Sequence, residues 1–394
     1  MLLKTVFLYP DYFDNTTATR RVLETAKDLF PNLEFFYWER AGVQSNHSDP
    51  LYEGIKKTNF KRLAPPRSVK VLLVTLQFQW WLLRNIRNSK PQVICAFYIY
   101  TILPALVYKY FFNRSCKVIY DPRDYFAVVF RLPAPARYLL KLIDNIFIKL
   151  SDRVLFPDQQ FFTHYGLFKI PSEKYFILPN STTDKLNTIK QESLHQKLGL
   201  SSETKIVPII GYFSEDRGRK MFFEAISQKP EGIHFVVAGA FRDVQDIAFF
   251  KSQSNVSYLG KVPYLEALWI MEQSAIVPIV CSPDSLNYKF AIPTKFYDST
   301  MVGTPVLVSD GQVDVAEKIN ANKLGFCIPY NDANAFQNVL YALPKQRDPE
   351  QSNRIRQYFL EKYDFVIFKS GLRRFYESLQ GDIILKTGNG ILEQ

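Results

Sequence analysis

"AIPTKFYDSTMVGTPVLVSDG", Ala291 to Gly311, decides how the second half of the chain is read. Pro305-Val306-Leu307-Val308-Ser309 is an apolar, β-branched run entered from a turn at Gly303, which predicts a parallel strand buried on both faces. Just upstream, Pro293 opens a short helix in which Lys295 and Asp298 stand three apart and share one face. As a solvated ion pair they would contribute under about 1 kcal/mol. Phe296 and Met301, however, predict that most of this helix is buried, and a buried lysine needs an anionic partner.

The same alternation of short apolar strands and helices extends in both directions. In the first half, strands are predicted at Lys4–Tyr9, Phe35–Trp38, Val93–Phe97, Lys117–Tyr120 and Arg153–Phe156. Helices are predicted at Thr17–Phe30, Val69–Arg87, Ile102–Phe112 and Ala136–Leu150. In the second half the strands are Lys205–Ile210, His234–Ala238, Val256–Leu259, Ile276–Val280 and Val306–Val308. Helices run over Lys220–Gln228 and Leu265–Gln273, from Ala333, and from Gln351 to Leu379. The polar turn-rich segment ending "ILPNSTTD" (Ile177–Asp184) reads as the linker. The expected organisation is a domain over 1–180, another over 181–380 and a tail over 381–394. Both domains are α/β with doubly wound parallel sheets, whose ligands bind at the carboxyl ends of the strands.

A chain of 394 residues, 47% of them hydrophobic, is too long for one ordinary core and suits two domains. Cys95, Cys116, Cys281 and Cys327 are far apart and read as reduced thiols of a cytoplasmic protein. The opening MLLKTVFLYP is too short an apolar run for a signal peptide, and Val69–Leu83 is interrupted by Lys70, Gln77 and Gln79. Charge is unevenly placed. Residues 1–185 hold 26 Lys+Arg and 15 Asp+Glu, leaving 49 − 26 = 23 basic and 38 − 15 = 23 acidic residues for 186–394. All of the +11 net charge lies in the first half, which is expected to face something anionic.

Candidate ligand groups follow the strands. Gly211-Tyr212-Phe213-Ser214-Glu215-Asp216-Arg217-Gly218-Arg219-Lys220 is a glycine and cation loop before a helix, suited to a phosphate or to being a basic surface turn. Gly239, after His234–Ala238, permits close approach of a flat ring or simply a tight turn. A diphosphate at Lys295 and ribose hydroxyls at Asp298 would satisfy the buried pair. In the first half, Asp121-Pro122-Arg123-Asp124 follows a strand and is either a capped turn or a pair of carboxylates that orient and deprotonate an acceptor hydroxyl. The loop Pro10–Arg20 brings Asp14, Asn15 and Arg20 to the same edge.

"PTKFYDSTMVGTPVLVS" resembles the signature of retaining, nucleotide-sugar-dependent glycosyltransferases of family 4, which have the GT-B fold. "ILPNSTTD", "GYFSEDRGRKMFFEAI", "FVVAGAF", "VSYLGKVPYLEALWIMEQSAIVPIV" and "YDFVIFKSGLRRFYESL" resemble further family segments in family order. The resemblance covers most of 175–380 by motif and the first half only in pattern. It implies two Rossmann-like domains facing across a cleft, with the last helix returning to the first domain. It also implies donor contacts from Arg217, Gly218, Lys220, Gly239, Lys295 and Asp298, with Arg217 on the pyrophosphate and Asp298 on the ribose. Two positions depart from the family pattern. Phe290 stands where the family often has a glutamate, and Tyr212 where it has an arginine.

The expected reaction transfers a sugar from a UDP- or GDP-sugar substrate to a glycan or lipid-linked acceptor, with Asp124, Arg123 and Asp121 as catalytic candidates. Neither a D-x-D motif nor a His/Cys cluster sits at a strand end, so neither a metal nor a cofactor is expected. The helices Val69–Arg87 and Ala136–Leu150, with Trp80-Trp81, Arg84, Arg87, Lys141 and Lys149, read either as sheet packing or as a face for an anionic inner leaflet. A sugar-nucleotide epimerase on the same fold is the alternative enzyme. A nucleic-acid-binding protein is the alternative class, but no nucleic-acid module is evident and the motif-bearing half is neutral.

Overall fold

A computed structural model of the chain describes residues 3–11, 17–40, 52–64, 70–129, 132–167, 169–239, 241 and 243–388. They form two compact units, Met1–Pro179 with Val366–Gln394, and Asn180–Phe365. Each is built on parallel strands that the apolar runs dictate.

In the first unit the strands are β1 Lys4–Tyr9, β2 Asn32–Trp38, β3 Lys56–Phe60, β4 Val93–Phe97, β5 Lys117–Asp121, β6 Arg153–Phe156 and β7 Tyr175–Ile177. They pair in parallel in the order β3-β2-β1-β4-β5-β6-β7. Every residue of β4 and β5 is buried, as a sheet covered on both faces requires. Register aligns Leu8 with Ala96 and Phe97 with Asp121, so β1, β4 and β5 end side by side. Strand β3, KKTNF, was not evident in the sequence. It is a polar edge strand, and lysines at an edge carry no apolar periodicity.

The second unit has β8 Lys205–Ile210, β9 Ile233–Ala238, β10 Val256–Gly260, β11 Val277–Ile279, β12 Val306–Ser309 and β13 Gly325–Ile328. Their ladders run β10-β9-β8 and β11-β12-β13. The Ala275 N–H donates to the Ile206 carbonyl at 2.9 Å, setting the two ladders edge to edge. One apolar layer gathers Val236, Trp269, Phe296, Val306 and Phe359, and the opposite one Val207, Phe222, Phe235, Leu307 and Phe336. In both units the strand order reverses beside the first strand, which opens a ligand crevice at the carboxyl ends.

The C-terminal helix expected over Gln351–Leu379 is two helices, Pro349–Lys362 and Phe365–Gly388. Phe359 accepts from both the Tyr363 and Asp364 N–H groups, and the Phe365 N–H donates to Thr182, so the ladder is interrupted where the chain leaves the second unit. The first helix is tied down by Arg356, which grips Asp184 at 2.5 and 3.1 Å and donates to the Met301 carbonyl at 2.7 Å. The second belongs to the first unit, burying Leu372, Tyr376 and Leu379. Residues 389–394 of the expected tail lie outside the described residues.

Tyr376 is fully buried, meets Phe30 edge-on at 5.8 Å and leaves its hydroxyl without a hydrogen bond. Tyr376→Ala should therefore cost about 3–5 kcal/mol in urea unfolding, because it opens a cavity under the helix. Tyr376→Phe should cost nothing, or stabilise by about 1 kcal/mol, because it removes an unpaired buried hydroxyl.

Candidate functional site

The site in the second unit begins where β8 and β11 end. After β8 the chain turns at Gly211, and a Cβ on Gly239 would lie 2.2 Å from the Gly211 carbonyl oxygen. The small residue after β9 therefore lets the neighbouring backbone turn pack against it. A single helical turn, Glu215–Arg217, leads to Gly218 (φ 75°), which precedes the helix Arg219–Ser227. A Cβ at Gly218 would meet Val280 at 2.7 Å, so glycine lets this helix start against the end of β11.

The cations of this loop have different fates. Arg219 is engaged by Asp246 at 2.5 Å and Glu215 at 2.8 Å. Lys220, expected among the donor contacts, lies in solvent beside Glu224 at 3.8 Å and is not drawn into the group. Arg217 is half-buried and held by aromatic rings, with its guanidinium 4.9 Å from the Tyr288 ring centre and 5.8 Å from that of Tyr212. Its Nε donates to the Tyr288 hydroxyl at 3.3 Å, and among the described residues no carboxylate pairs with it. Its charge is available to a ligand.

Lys295 and Asp298 lie on the helix Thr294–Met301, whose Phe296, Tyr297 and Met301 are buried as expected. Burial and the neighbouring Arg217 charge lower the Lys295 pKa to about 8. Asp298 is only 9% exposed and accepts from the Tyr264 hydroxyl at 2.7 Å. Burial raises its pKa to about 7 despite that hydrogen bond and the attraction of Lys295. Cys281, at the end of β11, feels both cations and is itself pushed up by burial. The structure thus brings Arg217, Gly218, Lys295 and Asp298 together. It adds Tyr264 and Tyr288, which are lone tyrosines in helical segments and gave no sequence signal.

In the first unit, Asp121 ends β5 and accepts from Arg123 Nε at 2.9 Å. Arg123 is 6% exposed, lies over the Phe97 ring at 4.9 Å and leaves both Nη atoms without a hydrogen bond. Its φ of 62°, like the 60° of Tyr98 after β4, is uncommon for a non-glycine residue and marks stored backbone strain. Burial keeps the Asp121 carboxyl above its usual range even beside Arg123, and raises Asp124 to about 6. Burial pushes the Tyr98 hydroxyl up, with Tyr9 adding to the shift and Arg123 opposing it, and Tyr100 bonds to Arg40. The run Phe97-Tyr98-Ile99-Tyr100 follows a strand, so the strand-end rule could have found these tyrosines. Asp14 and Asn15 lie outside the described residues. Arg20 falls within the helix Thr17–Leu29, but its side chain is not among those described.

Residues 190–361 match the family described as "Glycosyl transferases group 1". No curated protein sequence matches the chain. Among solved structures, the chain resembles sucrose-phosphate synthase from Thermosynechococcus elongatus with a TM-score of 0.72 at 14% identity, covering 96% of this chain and 99% of that one. It also resembles Anabaena HepE, solved with UDP and glucose, with a TM-score of 0.68 at 13% identity over 95% and 100% of the two chains. WaaG, a glycosyltransferase involved in lipopolysaccharide biosynthesis, aligns with a TM-score of 0.63 at 13% identity over 94% and 99%.

Replacing Asp298 isolates the cost of its burial. Its folded pKa is about 7, whereas a free carboxyl ionises near about 3.9, so the folded chain disfavours the charged form. That cost is absent below about pH 4, grows as the pH rises and is complete above about pH 7. Asp298→Asn should gain about 2–4 kcal/mol of stability at pH 8 and almost none at pH 4, by urea unfolding. An equal effect at both pH values would refute the burial reading.

Proposed function

We propose that this chain, whose residues 190–361 match the glycosyl transferases group 1 family and whose fold is that of the GT-B glycosyltransferases, moves a sugar from a nucleoside diphosphate to a glycan or lipid-linked saccharide. One observation carries the reading. Arg217 without a carboxylate partner, Lys295 with a depressed pKa and the buried Asp298 all gather at the carboxyl ends of β8 and β11. Each is held in a state that a ligand with two phosphates and adjacent hydroxyls would relieve.

In this reading the diphosphate sits between Arg217 and Lys295, at the start of the helix Arg219–Ser227, where backbone N–H groups and the helix dipole favour an anion. These fixed charges oppose the negative charge that builds on the leaving diphosphate as the glycosidic bond breaks, and the step needs no metal ion. Asp298 accepts from the ribose hydroxyls. The donor is a UDP- or GDP-sugar, and the product retains the anomeric configuration. In the first unit Asp124, with a pKa of about 6, is the base for the acceptor hydroxyl, while the Asp121–Arg123 pair positions an anionic part of the acceptor. In this reading the reaction runs at the cytoplasmic face of an anionic membrane, in polysaccharide or glycolipid synthesis, a location that the excess basic charge of the first half supports. Among the described residues no helix is long and apolar enough to cross a membrane. An epimerase would use the same donor geometry, but the match over 190–361 favours transfer.

Calorimetry of UDP and GDP tests the donor site. Arg217→Ala and Lys295→Ala should each weaken binding at least about tenfold, the loss expected of one charge-assisted contact. A bound diphosphate raises the Lys295 pKa from about 8, so binding at pH 8 should take up protons. The apparent enthalpy should then vary with buffer ionisation heat in the native chain and not in Lys295→Ala. Unchanged binding in both variants would place the nucleotide elsewhere.

A further inference from the structure

The right-handed crossovers after β3, β4 and β5 lay three helices on one face of the first unit's sheet: Lys70–Ser89, Ile99–Phe111 and Ala134–Leu150. Their inner sides pack as expected. Trp81 meets Phe36, Phe60 and Phe78, and Ile102, Ala105 and Ile148 are buried. Their outer sides are not polar. Leu72, Leu73 and Leu76 are 55–66% exposed, Trp80 70%, Phe111 80% and Tyr138 65%. Leu139, Leu142 and Ile146 are also exposed. An apolar surface of this breadth, spread over three neighbouring helices, is uncommon on a free soluble domain and marks an interaction face.

Charge identifies the occupant. The three helices hold seven basic residues (Lys70, Arg84, Arg87, Lys109, Arg137, Lys141, Lys149) and one acidic residue, Asp144. Asp144 is fully buried and accepts from Tyr120, and Lys109 turns inward onto Asp152. No carboxylate of these helices reaches the outer surface. Beside the protruding Trp80 lies a depression of about 460 Å³ lined by Trp80, Leu83, Arg84, Arg87 and Asn88. Arg87 stacks on Phe112 at 4.3 Å, which fixes its guanidinium at the rim. Arg84 and Arg87 are exposed and, among the described residues, no carboxylate pairs with either.

We infer that this face is an interfacial plate that seats the first unit on an anionic phospholipid bilayer. Leu72, Leu73, Leu76, Trp80 and Phe111 enter the acyl boundary, and the Arg84–Arg87 depression takes a lipid phosphate. The inference deepens the membrane reading above and is independent of the donor site. A membrane supplies both an apolar layer and a layer of phosphates just above it, matching the order of groups on these helices.

Flotation of the full chain with vesicles of phosphatidylcholine, alone or mixed with phosphatidylglycerol, tests it. The native chain should float with the mixed vesicles only. Arg84→Glu with Arg87→Glu, and separately Leu76→Ser with Trp80→Ser, should each lower the partition at least about tenfold. UDP binding by the same samples, followed by calorimetry, should be unaltered, which shows the variants folded. Equal flotation with both vesicle types, or variants floating like the native chain, would overturn the plate. So would sedimentation showing a dimer that both variants dissociate, because the face would then belong to a second copy. Selective flotation without UDP binding in any sample would remove the donor reading and leave this one intact.

Discussion

A parallel strand covered on both faces by helices has nowhere to put a charge except at its ends. Isolated charges inside such layers cost many kcal/mol, and even unpaired amides cost a few, so every chemically useful side chain is pushed to the loops. Doubly wound strand order then concentrates these loops. In the second unit the chain leaves β8 one way for β9 and β10, and returns on its other side for β11, β12 and β13. The ends of β8 and β11 border the opening this leaves, and Arg217, Cys281 and the helix carrying Lys295 lie there.

Not every charge at a strand end is free to act. Arg219 and Arg356 are satisfied by carboxylates and serve as structural ties, one across the start of its helix and one anchoring the last helix of its unit to Asp184. Arg217 is cradled by tyrosine rings, which orient a guanidinium without neutralising it. Lys295 and Asp298 share a helix face yet do not discharge each other fully, since Asp298 is turned to Tyr264 and Lys295 feels Arg217. The first unit follows another plan, in which Asp121 binds one edge of Arg123 and leaves its two Nη atoms open.

Strong local signals carried most of the fold reading. Continuous apolar runs such as Val93–Phe97 and Ile206–Ile210 can be little else than buried strands, and they lie where the periodicity predicts. The segments missed were those whose character comes from neighbours. β3 is polar because it is an edge, and β13 is four residues beginning with glycine, shaped by its pairing to Val306–Ser309. The break before Phe365 has no proline or glycine to announce it. It follows from the N–H of Phe365 reaching Thr182, a residue 183 positions earlier (365 − 182 = 183). Likewise Trp80 and Trp81 are adjacent and chemically identical, and only the direction of the sheet decides that Trp81 packs on Phe36 while Trp80 is exposed.

By itself the sequence determined the two-part α/β character, the strand-end positions of Asp121–Asp124, Arg217 and Lys295–Asp298, and the one-sided charge. These depend on local periodicity, turn residues and composition, which neighbours in space do not alter. Tertiary structure decided which of those residues are available. It set Lys220 in solvent, tied Arg219 to Asp246, brought Tyr264 onto Asp298 and Tyr288 onto Arg217, and turned the outer sides of three helices into one surface. The reason is physical: a charge's partners and its burial are properties of distance in space, and distance along the chain encodes them only within a turn or two of helix.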